Sequence, residues 1–267
     1  MPTIKLETTE NGIIEWKTTS WNPMTGCDRI SAGCDNCYAL LFARRLKELG
    51  QPKYQNDGDP RTSGPGFDLT LHPDALAQPR SWRKPRHIFV GSMSDLFHTR
   101  VPLDYIQQVV DVMRATPQHT YQVLTKRARR LANLSEFIAW PDNVWVGTSI
   151  EDASLLHRAD DLRRVDAAVR FLSLEPLLGP LPDLDLAGID WVTLAGEAGP
   201  GARPLEAAWV RQLRDRAQER GVPFFFLQWG GPTPKGGGRL LDGQTWDQMP
   251  LRRVRPTPVP ALATLPA

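Results

Sequence analysis

Val144-Trp145-Val146, then Gly147-Thr148-Ser149-Ile150-Glu151-Asp152, then an amphipathic run over 154–165, then Val169-Arg170-Phe171-Leu172-Ser173-Leu174, reads as strand, polar turn, helix, strand. Aromatic and β-branched residues fill the short apolar runs, and the run between them carries its apolar residues at helical spacing. A unit of this kind joins parallel neighbours in one sheet. The same alternation extends in both directions. Apolar runs recur at 13–16, 67–72, 87–90, 121–124, 144–146, 169–174, 191–195 and 222–227, with helical patterns at 103–115, 154–165 and 206–220. Gly221 is placed to cap the last of these. Eight strands alternating with helices predict an α/β fold of the TIM type, a (β/α) barrel forming one domain over 1–250.

Two segments break the rhythm. Residues 50–66, rich in Gly, Pro and Asp, predict an irregular insertion that serves as a lid or wall. Residues 251–267, Pro-rich and opening on Arg252-Arg253-Val254-Arg255, predict a poorly ordered tail. A length of 267 residues suits one barrel, and 41% hydrophobic with 23% charged residues suits a globular core. The net charge of +2 confines any nucleic-acid surface to a local patch. No apolar run has the length of a membrane span, and the first ten residues are polar, so a cytoplasmic location without membrane attachment is expected.

In a barrel of this type the reacting groups gather at the carboxyl ends of the strands. Polar residues follow nearly every run there. Ser92 and Asp95 follow 87–90, Lys126 follows 121–124, Ser149 follows 144–146, Glu175 follows 169–174 and Glu197 follows 191–195. Asp95, and Ser149 with Asp152, can equally cap the next helix. Glu175 and Glu197 stand out because Pro176 and Gly199-Pro200 follow them, leaving no helix for them to cap. Lys126 opens a basic helix start and can also reach inward to a carboxylate or phosphate.

All three cysteines lie in one loop, Cys27-Asp28-Arg29-Ile30-Ser31-Ala32-Gly33-Cys34-Asp35-Asn36-Cys37-Tyr38. Clustering without a partner elsewhere favours metal binding over disulfides. As a zinc site the loop is one ligand short, the nearest histidine in sequence being His72, although a distant histidine or carboxylate can complete it. As an iron-sulfur site it leaves one iron open, which is what a reactive centre needs.

Tyr38 after the last cysteine, a preceding strand and a following helix over 40–49 make the loop resemble that of the radical S-adenosylmethionine (SAM) enzymes. Their usual first gap is three residues, whereas here it is six. Trp21-Asn22-Pro23-Met24-Thr25-Gly26-Cys27, Gly91-Ser92-Met93-Ser94-Asp95-Leu96-Phe97, Leu174-Glu175-Pro176-Leu177-Leu178-Gly179-Pro180 and Gln228-Trp229-Gly230-Gly231 resemble more closely an uncharacterised, phage-associated three-cysteine family grouped with them. The resemblance implies that Cys27, Cys34 and Cys37 hold a [4Fe-4S] cluster whose fourth iron binds SAM. It further implies a reductant supplying one electron and a deoxyadenosyl radical that takes a substrate hydrogen. Ser92, Asp95, Ser149 and Tyr38 then become candidates for cofactor contact, and Glu175, Glu197 and Lys126 for catalysis.

Ile88-Phe89-Val90-Gly91-Ser92-Met93-Ser94-Asp95 and Tyr121-Gln122-Val123-Leu124-Thr125-Lys126 also resemble the spore photoproduct lyase branch, which implies a DNA or RNA base as substrate. Arg80, Arg83, Lys84 and Arg86 around Trp82 are the candidate nucleic-acid contacts, or else an ordinary basic helix end. Two other readings stay open. One is a zinc- or cluster-containing module that binds nucleic acid or protein without turnover. The other is a barrel hydrolase or lyase that uses Glu175 and Glu197 as acid and base.

Overall fold

The structure is a computed structural model that describes residues 18–233 and 236–250, with the backbone of 7–8 and 14–15. Its centre is one seven-stranded parallel sheet: β1 (Thr19–Trp21), β2 (His87–Val90), β3 (Thr120–Thr125), β4 (Val144–Ser149), β5 (Val169–Leu174), β6 (Trp191–Ala195) and β7 (Phe224–Gln228). Neighbours in the sheet follow chain order. The register runs from Thr19 opposite Ile88 to Val192 opposite Phe224. The helices are α1 (Tyr38–Glu48), α2 (Leu103–Arg114), α3 (Ala128–Ser135), α4 (His157–Arg163) and α5 (Ala207–Glu219).

Strand alternation sorts the side chains onto two faces. Ile88, Val90, Tyr121, Val123, Val144, Val146, Leu172, Leu174, Val192 and Leu194 join the helices in the main core, where Ile106, Val109, Val110 and Met113 come from α2 and Val210, Leu213 and Ala217 from α5. Full burial of each such side chain contributes about 2 kcal/mol. The intervening residues Trp145, Val169, Phe171, Trp191 and Phe225 form a second, largely aromatic cluster on the other face. Trp191 meets Trp145, Phe171 and Phe225 there at ring separations of 5.8, 5.6 and 6.2 Å.

The expected closed, eight-stranded barrel is corrected to an open one. The sheet is a curled half-barrel, with β1 at one edge and β7 at the other. Two of the eight expected strands lie outside it. Within 13–16, Ile14–Glu15 forms a short antiparallel pair with Glu7–Thr8, and the strand that joins the sheet is Thr19–Trp21. Within 67–72, only Thr70–Leu71 is extended, and it pairs antiparallel with Met24–Thr25. Pro73 then begins a 3-10 turn at once, leaving no room for the crossover that a parallel neighbour needs.

The other expected elements are present, with β4 running past 146 to Ser149 and the 154–165 helix divided into a 3-10 turn, Ala153–Leu155, and α4. The 206–220 pattern is α5, and Gly221 follows it at φ +64°, with the Val222 amide returning to Ala217 carbonyl at 2.8 Å. Residues 50–66 hold a 3-10 turn, Pro52–Tyr54, and Asp57 of this segment accepts from Lys47 of α1 at 2.5 Å and from the Gly66 amide at 2.7 Å. The insertion is therefore tied to α1 through Asp57. The tail over 251–267 lies outside the described residues. No helix among the described residues is long and apolar enough to cross a membrane.

Candidate functional site

The three cysteines stand at the carboxyl rim of the sheet. The loop leaves β1 through Gly26, whose amide donates to Met93 carbonyl at 2.9 Å and whose φ is +90°. A side chain at position 26 would start 2.1 Å from Asp68 carbonyl, so only glycine passes here. Cys27 follows directly. Cys34 ends a 3-10 turn, Ala32–Cys34, and Cys37 precedes the first turn of α1. All three thiols are free; Cys34 is buried, and the other two are half-buried.

Burial pushes the Cys27 thiol up to about 12, with Asp95 adding to the rise and Arg127 opposing it. Burial likewise raises Cys37, against the pull of the Ala39 and Leu40 amides at the start of α1. Cys34 in its charged form raises both, so the three sulfurs share one electrostatic neighbourhood.

Strand ends far away in sequence hold this loop. Arg127, just after β3, donates to Cys27 Sγ at 3.3 Å, to Asp28 carbonyl at 3.2 Å and to Asp95 at 3.0 Å. Glu151, just after β4 and fully buried, accepts from Ser31 of the loop at 3.0 Å, from Arg158 at 3.1 Å and from Lys126. Gly33 lies over this carboxylate: a side chain at position 33 would start 2.5 Å from Glu151 Cγ and 2.7 Å from Lys126 Nζ. Glu197, just after β6, accepts from Asn36 at 2.9 Å and from Arg203, and Arg203 also donates to Ala32 carbonyl at 2.9 Å. Burial pushes Glu197 up, but the Arg203 side chain and amide, with Asn36, outweigh it and hold the carboxyl at about 2. Asp28 completes the frame with a 2.6 Å contact to the buried ring of His98.

The sequence candidates divide accordingly. Asp95 has both oxygens engaged, by Thr125 at 2.7 Å, the Phe97 amide at 2.9 Å, the Lys126 amide at 3.2 Å and Arg127, so it orders the β3 end. Ser92 exchanges hydrogen bonds with Asn22 at 3.1 and 3.2 Å, and its carbonyl accepts from the Tyr38 hydroxyl at 2.6 Å. Ser149 is buried beside Ser173 in the strand register, its carbonyl taken by Arg158 at 2.8 Å. Glu175 is exposed at the end of β5; desolvation by the surrounding protein pushes its carboxyl above the ordinary range, and Lys126 opposes the rise. Tyr38, 51% exposed, is raised by desolvation of the same kind, then by Cys37 and Glu175. Tyr38, Cys37, Glu175 and Lys126 thus lie within electrostatic reach of one another, with Tyr38 and Glu175 exposed.

The basic run is not brought to this rim. Arg80, Arg83, Lys84 and Arg86 are exposed and precede β2, which places them at the opposite, amino end of the strands. Trp82 packs against the main core, with Arg86 over its ring at 4.8 Å and the His119 ring at 6.1 Å, so its faces are occupied. Composition and spacing did not single out Ser31, Asn36, Arg127, Glu151 or Arg203. The one signal within reach was that Arg127 and Glu151 also sit immediately after strands.

The donor set fits an iron-sulfur cluster in kind: three thiols in one loop, with the nearby His98 ring engaged by Asp28 rather than by a cysteine. Among the described residues no three His, Cys, Asp or Glu side chains are grouped so as to hold a single metal ion. A cluster makes a different demand, because each cysteine binds its own iron.

No curated protein matches the chain. Among solved structures, a cysteine-to-serine variant of spore photoproduct lyase is similar at 13% identity over 73% of this chain and 59% of that one, with a TM-score of 0.44. A variant of the same lyase with bound AdoMet and dinucleoside spore photoproduct is similar at 12% identity over 81% and 64%, with a TM-score of 0.43. The chain spans less than two thirds of either protein. Over residues 11–250 it matches the family described as Protein of unknown function (DUF5131), and it belongs to that family.

Proposed function

We propose that this chain is a radical-SAM enzyme in which Cys27, Cys34 and Cys37 bind three irons of a [4Fe-4S] cluster and SAM binds the fourth. The observation that carries the reading is the meeting of all three cysteines at the carboxyl rim of an open parallel sheet, beside the exposed side chains of Tyr38 and Glu175. When bound, the reduced cluster and SAM supply one-electron cleavage of SAM and a carbon radical that takes a hydrogen atom from the substrate.

The chain's own part is to hold, orient and exclude. Arg127, Glu151 and Glu197 fix the loop from three strand ends. Tyr38 ties the start of α1 to the end of β2 through Ser92 carbonyl. Glu175, an exposed carboxylate near Tyr38 that is not locked into the frame, receives a cationic group of SAM or substrate, with Lys126 favouring its charged form. A hydrolase pairing Glu175 with Glu197 has less support, since Arg203 and Asn36 occupy Glu197. A nucleic-acid base as substrate rests on the sequence resemblance alone, because the basic run stands at the far rim. Free thiols suit a reducing compartment such as the cytoplasm.

The test is anaerobic purification or reconstitution, assay of iron, sulfide and zinc, then one-electron reduction with SAM present. Iron with matching sulfide and formation of 5′-deoxyadenosine are expected, and single- and double-stranded oligonucleotides are the first substrates to add. Stoichiometric zinc without iron overturns the proposal.

A further inference from the structure

Among the described residues, Arg127 is the side chain from another part of the fold that hydrogen-bonds a cysteine sulfur: its guanidinium donates to Cys27 Sγ at 3.3 Å across 100 positions of sequence. The Arg127 side chain is 9% exposed and that of its partner Asp95 is 7% exposed. Asp95 is itself fixed by Thr125 and by the amides of Phe97 and Lys126. A chain of contacts therefore runs from the β3 end through Asp95 and Arg127 to the first cysteine. Cys27 needs such a device. Six residues separate it from Cys34, so the turn that sets Cys34 and Cys37 does not orient it.

We infer that Arg127 is a positioning residue that sets the reduction potential of the cluster through Cys27, with Asp95 as its counterweight. This rests on the reading of the loop as a cluster site. Hydrogen bonds to ligand sulfurs and nearby charge are among the main determinants of cluster potential. One-electron reduction adds negative charge to the cluster, and a cationic donor on Cys27 Sγ stabilises that reduced form, raising the potential. Burial strengthens the effect by limiting solvent screening. Asp95 partly neutralises the guanidinium and lowers the potential from where Arg127 alone would put it. The two residues thus act with opposite sign on one sulfur, which a merely structural role does not produce.

The experiment compares wild type, Arg127→Gln, Arg127→Lys and Asp95→Asn after anaerobic reconstitution, with iron and sulfide assays and a mediator titration followed by electron paramagnetic resonance. At the wild-type midpoint, Arg127→Gln is expected to lower the ratio of reduced to oxidised cluster about tenfold, equivalent to ~59 mV for one electron. Arg127→Lys falls between the two, and Asp95→Asn shifts the ratio upward. Unchanged potentials, or shifts of Arg127→Gln and Asp95→Asn in the same direction, overturn the inference while leaving the cluster intact. Should Arg127→Gln fail to assemble, the absence of an upward shift in Asp95→Asn overturns it. Wild-type protein without iron and sulfide overturns the cluster reading and this inference together.

Discussion

Ser31 donates at 3.0 Å to Glu151, a fully buried carboxylate 120 positions further along the chain. The contact joins the cysteine loop, which leaves the edge strand β1, to the end of the central strand β4. Arg158 and Lys126 complete the pairing of Glu151, so one acid serves two cations and the loop together.

Glu151→Gln leaves the 5%-exposed side chain of Arg158 and that of Lys126 without their counter-charge. Removal of one member of a buried pair costs about 3 kcal/mol. Urea unfolding of the apo-protein is expected to show a loss of that order, with the denaturant dependence unchanged. A loss below about 0.5 kcal/mol would place this network among surface pairs of little weight.

Cys34→Ala removes one sulfur from a loop held by other contacts. The cost to the fold is expected to stay within about 1 kcal/mol, while iron, sulfide and SAM cleavage are lost. Circular dichroism and thermal melting check the first part and metal analysis the second. An unfolded variant would make the loop a structural staple.

Glu197 gives the fold a pH dependence of known sign. Its carboxyl lies at about 2 in the folded chain, against an ordinary value of 4.5. A depressed folded value means that the stabilisation is complete above about pH 4.5 and is lost as the pH falls toward 2. Denaturant midpoints of wild type and Glu197→Gln should therefore differ most near neutral pH and converge through that acid window. A gap that stays constant with pH would show that Glu197 does not titrate against Arg203.

Glu175→Gln should leave cluster content and stability unaltered while lowering kcat/KM for SAM cleavage or substrate turnover about 30-fold. That matches ~2 kcal/mol for a charge-assisted hydrogen bond. The raised carboxyl also predicts that wild-type activity declines on the acid side at a pH above the ordinary carboxylate range, and that this limb is absent from the variant. Equal rates and superimposable pH profiles would remove Glu175 from the site.

What the sequence made legible follows from how local each signal is. The α2 pattern and the Gly221 cap depend on neighbours within a few turns, and both hold. The run 144–146 proved too short, because Gly147-Thr148-Ser149 reads as a turn yet continues β4. Gly147 is needed there by the Phe171 ring, which a side chain at position 147 would meet at 2.5 Å. Thr19–Trp21 escaped notice because an edge strand buries little: Trp21 is inside, Ser20 is exposed, and 13–16 is the more apolar run. The thiols themselves were plain in the sequence. Their supports were not, since Arg127, Glu151 and Arg203 reach the loop only through the folded sheet, and Asp95 marked the right rim for a different task.

The long reach of these contacts sets an order of events in the making of the molecule. The cysteines are synthesised before Arg203, which anchors Ala32 carbonyl from 171 residues further along the chain. Until β6 and the segment after it have been synthesised and docked, the loop lacks the anchors supplied by Glu197 and Arg203. Delivery of the proposed cluster therefore belongs after the sheet is assembled, or else falls to a factor that shields the nascent loop in the meantime.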